Sequence, residues 1–154
     1  MSIVLRVYRP GDEVPVHCLV RRVFDQFIRD DYNEEGQQMF ARYIDPEAIA
    51  RRQCEGCQML LAETEGTLAG VLELRDFRHI SMLFVDPEFQ RRGIARSLID
   101  RAVTLIRRVH PDLACVTVFA SPFAVPIYGR LGFAASAPET TVQGIRYTPM
   151  ERPL

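Results

Sequence analysis

The residues best placed to do chemistry together are consecutive: Gln90, Arg91, Arg92, Gly93, Ile94, Ala95, Arg96 and Ser97. They follow a β-rich run that ends at Val85, and a helical pattern begins within them. Backbone N–H groups at a helix start have no internal partner and carry partial positive charge, so they suit a phosphate. Gly93 gives the chain either a positive φ or close approach to a ligand, and Ala95 keeps the next turn open. Arg91, Arg92 and Arg96 add formal charge beside those amides. The physical reading is a seat for a diphosphate. Two other phosphate motifs are excluded, because neither Gly-x-x-x-x-Gly-Lys-Ser/Thr nor Gly-x-Gly-x-x-Gly is present.

Such a seat needs a strand, a tight loop and a helix, and the surrounding pattern supplies them. Residues 3–8 read as a first strand, stopped by Arg9, Pro10, Gly11 and Asp12. From residue 13 to about 27, Val16, Leu19, Val20, Val23, Phe24 and Phe27 recur at three- and four-residue steps, which buries one helical face. The run of residues 29–36 breaks the pattern, a second helix is expected over 37–44, and Asp45-Pro46 opens a third that ends near Arg52. Residues 59–63 and 68–75 form a hairpin through Thr64, Glu65, Gly66 and Thr67, and 79–85 is a third strand bounded by Asp86-Pro87. An amphipathic helix covers 96–109, with Leu98, Ala102, Leu105, Ile106 and Val109 on its inner face. Residues 113–119 are a strand, 125–131 a short helix closed by Gly132, and 142–150 supply one or two final strands. This order describes an α/β sandwich with a mixed, partly antiparallel sheet, in a single domain spanning residues 1–154.

Composition narrows the function. Apolar residues make up 47 % and charged residues 25 %, an ordinary globular profile. A net charge of -1 argues against nucleic acid or an anionic membrane as general partners. No stretch approaches the roughly 20 apolar residues of a membrane span, and the N-terminus does not read as a signal peptide. The four cysteines, Cys18, Cys54, Cys57 and Cys115, are scattered in a way that suits a reducing cytosol, so a cytoplasmic protein is expected. Cys54-Glu-Gly-Cys57 lacks the further ligands that zinc needs and reads as a turn, so no metal is expected.

Taken together, Gln90-Arg-Arg-Gly-Ile-Ala95 resembles the Gln/Arg-x-x-Gly-x-Gly/Ala signature of the GNAT acetyltransferase superfamily, and Val85-Asp-Pro-Glu88 resembles its strand exit. A second block, from Ser121 through Tyr128 to Phe133, follows about 30 residues on, as in that family. The resemblance covers nearly the whole chain. It implies a mixed, mostly antiparallel central sheet with helices on both faces, and acetyl-CoA as cosubstrate with no metal. It also implies that the CoA arm adds to a splayed strand at a bulge, along the backbone of Leu83, Phe84 and Val85. The diphosphate would rest on amides from Arg91 to Arg96, and a backbone N–H near Leu83 would meet the thioester oxygen. Tyr128 falls where the family places the tyrosine that protonates the departing thiolate. Ser121 stands where many members carry Asn, which shortens, shifts or removes a contact to the arm.

For the base that takes the amine's proton, alternation puts His79, Ser81, Leu83 and Val85 on one strand face, and Val71, Glu73 and Arg75 on one face of the neighbour. Family bases often sit on these central strands, so both Glu73 and His79 are candidates; a salt bridge from Glu73 to Arg75 or Arg78 is the structural alternative. The acidic run Asp30, Asp31, Tyr32, Glu34 and Glu35 borders the acceptor side by resemblance, and either attracts a cationic amine or is a solvated face. Arg146 or Tyr147 would lie near the acceptor. Cys115 suggests a covalent route, but it is expected in mid-strand as a structural thiol. The acceptor class is a small-molecule amine or a peptide N-terminus, and relatives are commonly homodimers. The competing reading is an acyl-CoA-binding sensor without turnover.

Overall fold

The computed structural model describes residues 2–154. Among these the elements run β1 (Val4–Val7), α1 (Glu13–Phe27), α2 (Glu34–Tyr43), α3 (Pro46–Gln53), β2 (Cys57–Thr64), β3 (Thr67–Arg75), β4 (His79–Val85), α4 (Ile94–Val109), β5 (Cys115–Ala120), α5 (Val125–Arg130), β6 (Ala134–Ala135), β7 (Thr140–Val142) and β8 (Ile145–Pro153). The strands lie in the order β1-β2-β3-β4-β5-β8-β6, with β7 pairing β8 off that path. Only β4 and β5 pair in parallel; every other pairing is antiparallel. The mixed, mostly antiparallel sheet with helices on both faces is therefore present.

The core divides along the two faces of this sheet. Leu72, Leu74, Ile80, Val116 and Val118 meet Leu98, Ile99, Ala102 and Ile106 of α4. On the opposite face Met59, Leu61, Val71 and Met82 meet Val16, Leu19, Val20 and Val23 of α1 and Ile49 of α3. Coverage on both sides explains why β2 and β3 read as nearly unbroken apolar runs rather than as alternations. Each large aliphatic side chain so buried contributes roughly 1.5–3 kcal/mol. Val109, expected on the inner face of α4, is exposed, because the helix ends there; Ile99 and Val103 take up that stripe instead. The hairpin between β2 and β3 turns on Glu65 and Gly66, both at positive φ, as a tight two-residue connection requires.

Residues 142–150 hold the end of β7 and most of β8, within the one or two strands expected there, and β6 is a further short strand ahead of them. One boundary needs correction. The helical pattern of α1 does break after Phe27, but α2 starts at Glu34 rather than at residue 37, so Gly36 lies inside it, with the Asn33 side chain accepting a hydrogen bond from the Gly36 N–H at 2.9 Å. Gly36 is glycine because of a neighbour. A Cβ there would stand 2.2 Å from the Gly144 carbonyl oxygen, and one on Gly144 would stand 1.9 Å from the Asn33 Oδ1. The turn between β7 and β8 thus presses directly on the first turn of α2.

Gly36→Ala should therefore destabilise the fold by about 2–3 kcal/mol, because backbone must retreat from backbone, against a helix-propensity gain of only about 1 kcal/mol. Urea unfolding measures it, and a midpoint at or above wild type would show that this contact yields freely.

Candidate active site

The site begins where a ladder stops. β4 and β5 share only the rungs His79↔Thr117 and Ile80↔Val118, although β4 runs on to Val85 and β5 to Ala120. β4 stays paired to β3 as far as Gly70↔Val85. Residues 81–85 therefore have no strand partner on the β5 side. One residue past the last shared rung the β3–β4 register slips, with Glu73 opposite Met82 but Leu74 opposite Ile80, so Ser81 is an extra, bulged residue.

That bulge corrects the alternation expected from the sequence. Ser81 and Met82 both face the α1 layer, since the Ser81 hydroxyl donates to Glu73 and Met82 packs with Val16 and Leu19. Leu83 and Val85 are thereby turned to the α4 side, while Phe84 packs against the α1 side. His79 and Ser81 do not share a face with Leu83 and Val85.

Beyond Val85 the chain turns at Asp86, whose Oδ1 accepts from the Glu88 N–H at 3.0 Å and whose carboxylate pairs with Arg22. Gln90 closes the loop by donating from Nε2 to the Val85 carbonyl at 3.1 Å. Arg91 has φ 65 and Gly93 has φ 81, so the loop reverses sharply into α4. The Ser97 N–H makes a first helical bond to the Gly93 carbonyl at 3.0 Å, and the Ser97 hydroxyl donates to the same oxygen at 3.0 Å. The amides of Ile94, Ala95 and Arg96 precede that bond. A Cβ on Gly93 would meet nothing within 4 Å, so the approach is open. Arg91 and Arg92 are exposed, whereas the Ile94 side chain is buried against Gly70, leaving only its backbone for a ligand.

The other wall comes from β5 and α5. Ser121 is buried; its carbonyl accepts from the Ala124 and Val125 N–H groups at 2.9 and 3.1 Å, and its hydroxyl oxygen accepts weakly from Ala124 at 3.3 Å. Tyr128 lies buried on α5, edge-on to Phe133, and burial pushes its phenol well above the ordinary tyrosine pKa. It stays protonated throughout the working pH range, as a proton donor must. Two contacts span the walls. Arg96 donates to the Arg130 carbonyl at 3.2 Å, and Phe27 at the end of α1 stacks on Phe123 after β5, with centroids 4.5 Å apart.

The two base candidates sit in different surroundings. Glu73 is 0 % exposed. It accepts from the Ser81 hydroxyl at 2.7 Å, Tyr43 OH at 3.0 Å, Gln53 Nε2 at 2.7 Å and Arg52 Nε at 3.3 Å to each oxygen. Its ionic partner is therefore Arg52 of α3, not Arg75 or Arg78, which are exposed. The Arg52 guanidinium lies 3.7 Å over the Tyr43 ring; its Nη2 is buried with no hydrogen-bond partner among the described residues. Burial and the nearby Glu73 push the Tyr43 phenol up to about 12. His79 is buried between Thr117, 2.8 Å from its Nδ1, and the Phe119 ring, which in turn touches Tyr147. Burial, with help from Arg75, lowers its pKa to about 4, so the imidazole is neutral at physiological pH.

Residues that the sequence reading passed over are Tyr43, Arg52, Gln53, Thr117 and Phe119. The available signal was Glu73 itself, an acid inside an apolar strand that demanded a buried cation. Sequence could not say which arginine supplied it. Arg146 is engaged, bonding Asp31 and Glu139 at 3.3 Å, so its charge is already partnered. Asp30, Glu34 and Glu35 are solvated. Cys115 opens β5 and is half-buried, donating to Glu151 at 3.4 Å, rather than lying in mid-strand. Cys54 is exposed at the end of α3 and Cys57 buried on β2, with Gly56 at φ 96 between them, a turn as expected. Among the described residues no helix is long and apolar enough to cross a membrane.

The chain as a whole is similar to known proteins in sequence and in fold. The acetyltransferase (GNAT) domain model matches residues 28–154. The chain is 30% identical over 132 residues to the uncharacterized N-acetyltransferase YafP of Escherichia coli (strain K12), covering 86% of this chain and 81% of that one. A GCN5-related N-acetyltransferase from Rhodopseudomonas palustris superimposes with a TM-score of 0.85 at 27% identity, over 100% of this chain and 97% of the other. The PaiA N-acetyltransferase of Thermoplasma acidophilum, in complex with coenzyme A, shares the fold with a TM-score of 0.81 at 19% identity and full coverage of both chains. The chain belongs to the GNAT acetyltransferase family and is an acetyl-CoA-dependent N-acetyltransferase. The free edge of β4 and the open space over Gly93 fit that cosubstrate.

His79 carries a pH consequence. The folded chain keeps it neutral down to about pH 4, while the unfolded chain takes its proton near 6.5, so acid favours unfolding. This contribution is constant above pH 6.5 and is lost between 6.5 and 4, reaching on the order of 2–3 kcal/mol at the lower end. His79→Gln should flatten that part of the stability profile, as urea midpoints at pH 7 and 4.5 would show; an unchanged slope would assign acid sensitivity elsewhere.

Proposed function

We propose that this enzyme moves the acetyl group of acetyl-CoA to a primary amine by direct attack in a ternary complex. The observation that carries the proposal is the free edge of β4, running without interruption into the loop and helix start at Gly93. Acetyl-CoA supplies an acyl group activated as a thioester and a thiolate able to leave. In this reading the amides from Arg91 to Arg96, with the charges of Arg91, Arg92 and Arg96, hold the diphosphate. The backbone of Leu83, Phe84 and Val85 holds the arm, and Gln90 and Ser97 brace the loop through the bonds they make within it. A backbone N–H near Leu83 points to the oxygen that gains charge, worth roughly 2.7–4 kcal/mol in comparable oxyanion sites.

Tyr128 then gives its proton to the departing sulfur. Burial keeps its hydroxyl protonated, the state a proton donor must start from. His79 is the better-supported proton acceptor. It is neutral, and so able to accept, whereas both oxygens of Glu73 are already occupied by donors. With a pKa near 4, His79 holds the proton only in passing and hands it to solvent. The acceptor is a small-molecule amine or a peptide N-terminus; the aromatic pair Phe119 and Tyr147 beside His79 supports an amine with apolar surface near the nitrogen.

Thiol release from acetyl-CoA across polyamines, amino acids, aryl-alkyl amines and short peptides tests the reaction. Release that depends on one amine class is expected, and tight acetyl-CoA binding with no release on any acceptor would favour a sensor instead. Tyr128→Phe should lower kcat at least tenfold while leaving the acetyl-CoA Kd within twofold; unchanged turnover would remove Tyr128 from the chemistry. Gly93→Glu should abolish CoA binding in calorimetry through bulk and charge at the diphosphate seat; because φ is 81 there, any side chain is also strained, so circular dichroism is read alongside to confirm that the variant is folded. Normal CoA affinity in that variant would overturn the seat.

A further inference from the structure

We propose that Glu73 is a positioning residue for acetyl transfer: through the Ser81 hydroxyl it fixes the bulge that sets where the free edge of β4 lies. The inference rests on the proposed use of that edge to hold the acetyl-CoA arm. A bulged residue has lost its place in the ladder, and a slip of one position would turn Met82, Leu83, Phe84 and Val85 to the wrong faces. Something must mark the position, and the Ser81 hydroxyl does, with the Glu73 carboxylate as its short acceptor and the Glu73 carbonyl farther off at 3.3 Å. The Ser81 hydroxyl donates to Glu73 Oε1 at 2.7 Å, one residue beyond the last rung between β4 and β5.

Glu73 is itself a fixed peg. Its carboxylate takes bonds from Tyr43 OH, Arg52 Nε and Gln53 Nε2, three side chains of α2 and α3. Arg52 is locked in turn, stacked on Tyr43 and donating from Nη1 to the Tyr43 carbonyl at 2.6 Å. Position therefore passes from the helical layer, through one buried acid, to the residue at the fork. Stability alone does not call for this arrangement, because an apolar set of similar volume commonly does as well as a buried ion pair. Register does call for it. No oxygen of Glu73 is left over to reach a substrate, and the side chain has no exposed surface.

The test is Ser81→Ala, which removes the tie and leaves the other partners of Glu73 intact, with Ser81→Thr as the conservative rescue and Glu73→Gln alongside. Ser81→Ala should lower kcat about tenfold, raise the acetyl-CoA Kd less than threefold and leave the shape of the kcat–pH profile unchanged. Ser81→Thr should return kcat to within twofold of wild type. Amide exchange followed by NMR should quicken at least tenfold at Met82 and Leu83 in Ser81→Ala, a readout that needs no turnover. Wild-type kcat and wild-type exchange in Ser81→Ala would overturn the proposal, even with a lowered Tm. So would an active Ser81→Ala beside a Glu73→Gln variant that loses a thousandfold in kcat with an altered pH profile, since that marks Glu73 as a base. Absence of transfer by the wild-type enzyme on every amine would instead sink the acetyl-transfer scheme, while the exchange comparison still decides the role of the bulge.

Discussion

Beyond Ile80 and Val118 the parallel ladder between β4 and β5 stops, although both strands continue. Backbone groups inside a sheet are costly to leave unmade, on the order of 1–3 kcal/mol for each one buried without a partner. A fold that keeps two central strands apart must hold each of them firmly on its other side. β3 does so for β4 as far as Val85, and β8 does so for β5 along its whole length, from Cys115↔Pro153 to Ala120↔Thr148. The two halves of the sheet are thus separately complete, and the gap between them is a property of the architecture rather than a defect in it.

Charge is distributed around that gap by burial. Arginines and open amides gather at the entrance to α4, where water is near and a polyanion can be received. Deeper in, the titratable groups are kept uncharged or paired: His79 is held neutral, the Tyr128 hydroxyl keeps its proton, and Glu73 is matched with Arg52. Such an interior carries little net field of its own, and its low dielectric strengthens whatever dipoles lie within it.

Much of this was legible in the sequence. Helix α1, helix α3, the β2–β3 hairpin and β4 follow from periodicity and turn residues almost to the residue, because there local preference and burial agree. The loop and helix start between Gln90 and Ser97 were legible because the turn residues and the helical periodicity that form them are local. What escaped detection was non-local. A bulge was implied by the family resemblance, but no glycine or proline announces its place at Ser81, so strict alternation misplaced Leu83 and Val85 relative to His79. The partner of Glu73 lies 21 residues away on a helix whose packing only the fold decides. The start of α2 at Glu34 rather than at residue 37 was missed because a glycine in sequence does not reveal the carbonyl that stands beside it inside the helix.

That carbonyl has a consequence for how the protein can diverge. Gly36 and Gly144 touch backbone to backbone, so the first turn of α2 and the turn between β7 and β8 can change position only as a coupled pair. Arg146 ties the same two regions through Asp31. Lengthening either turn alone would tear this seam, whereas the exposed residues 137–138, between β6 and β7, lie outside it and can absorb insertions. Descendants of this chain that acquire new preferences should therefore carry their novelty in side chains and in that outer segment, with the paired glycines travelling together or being lost together.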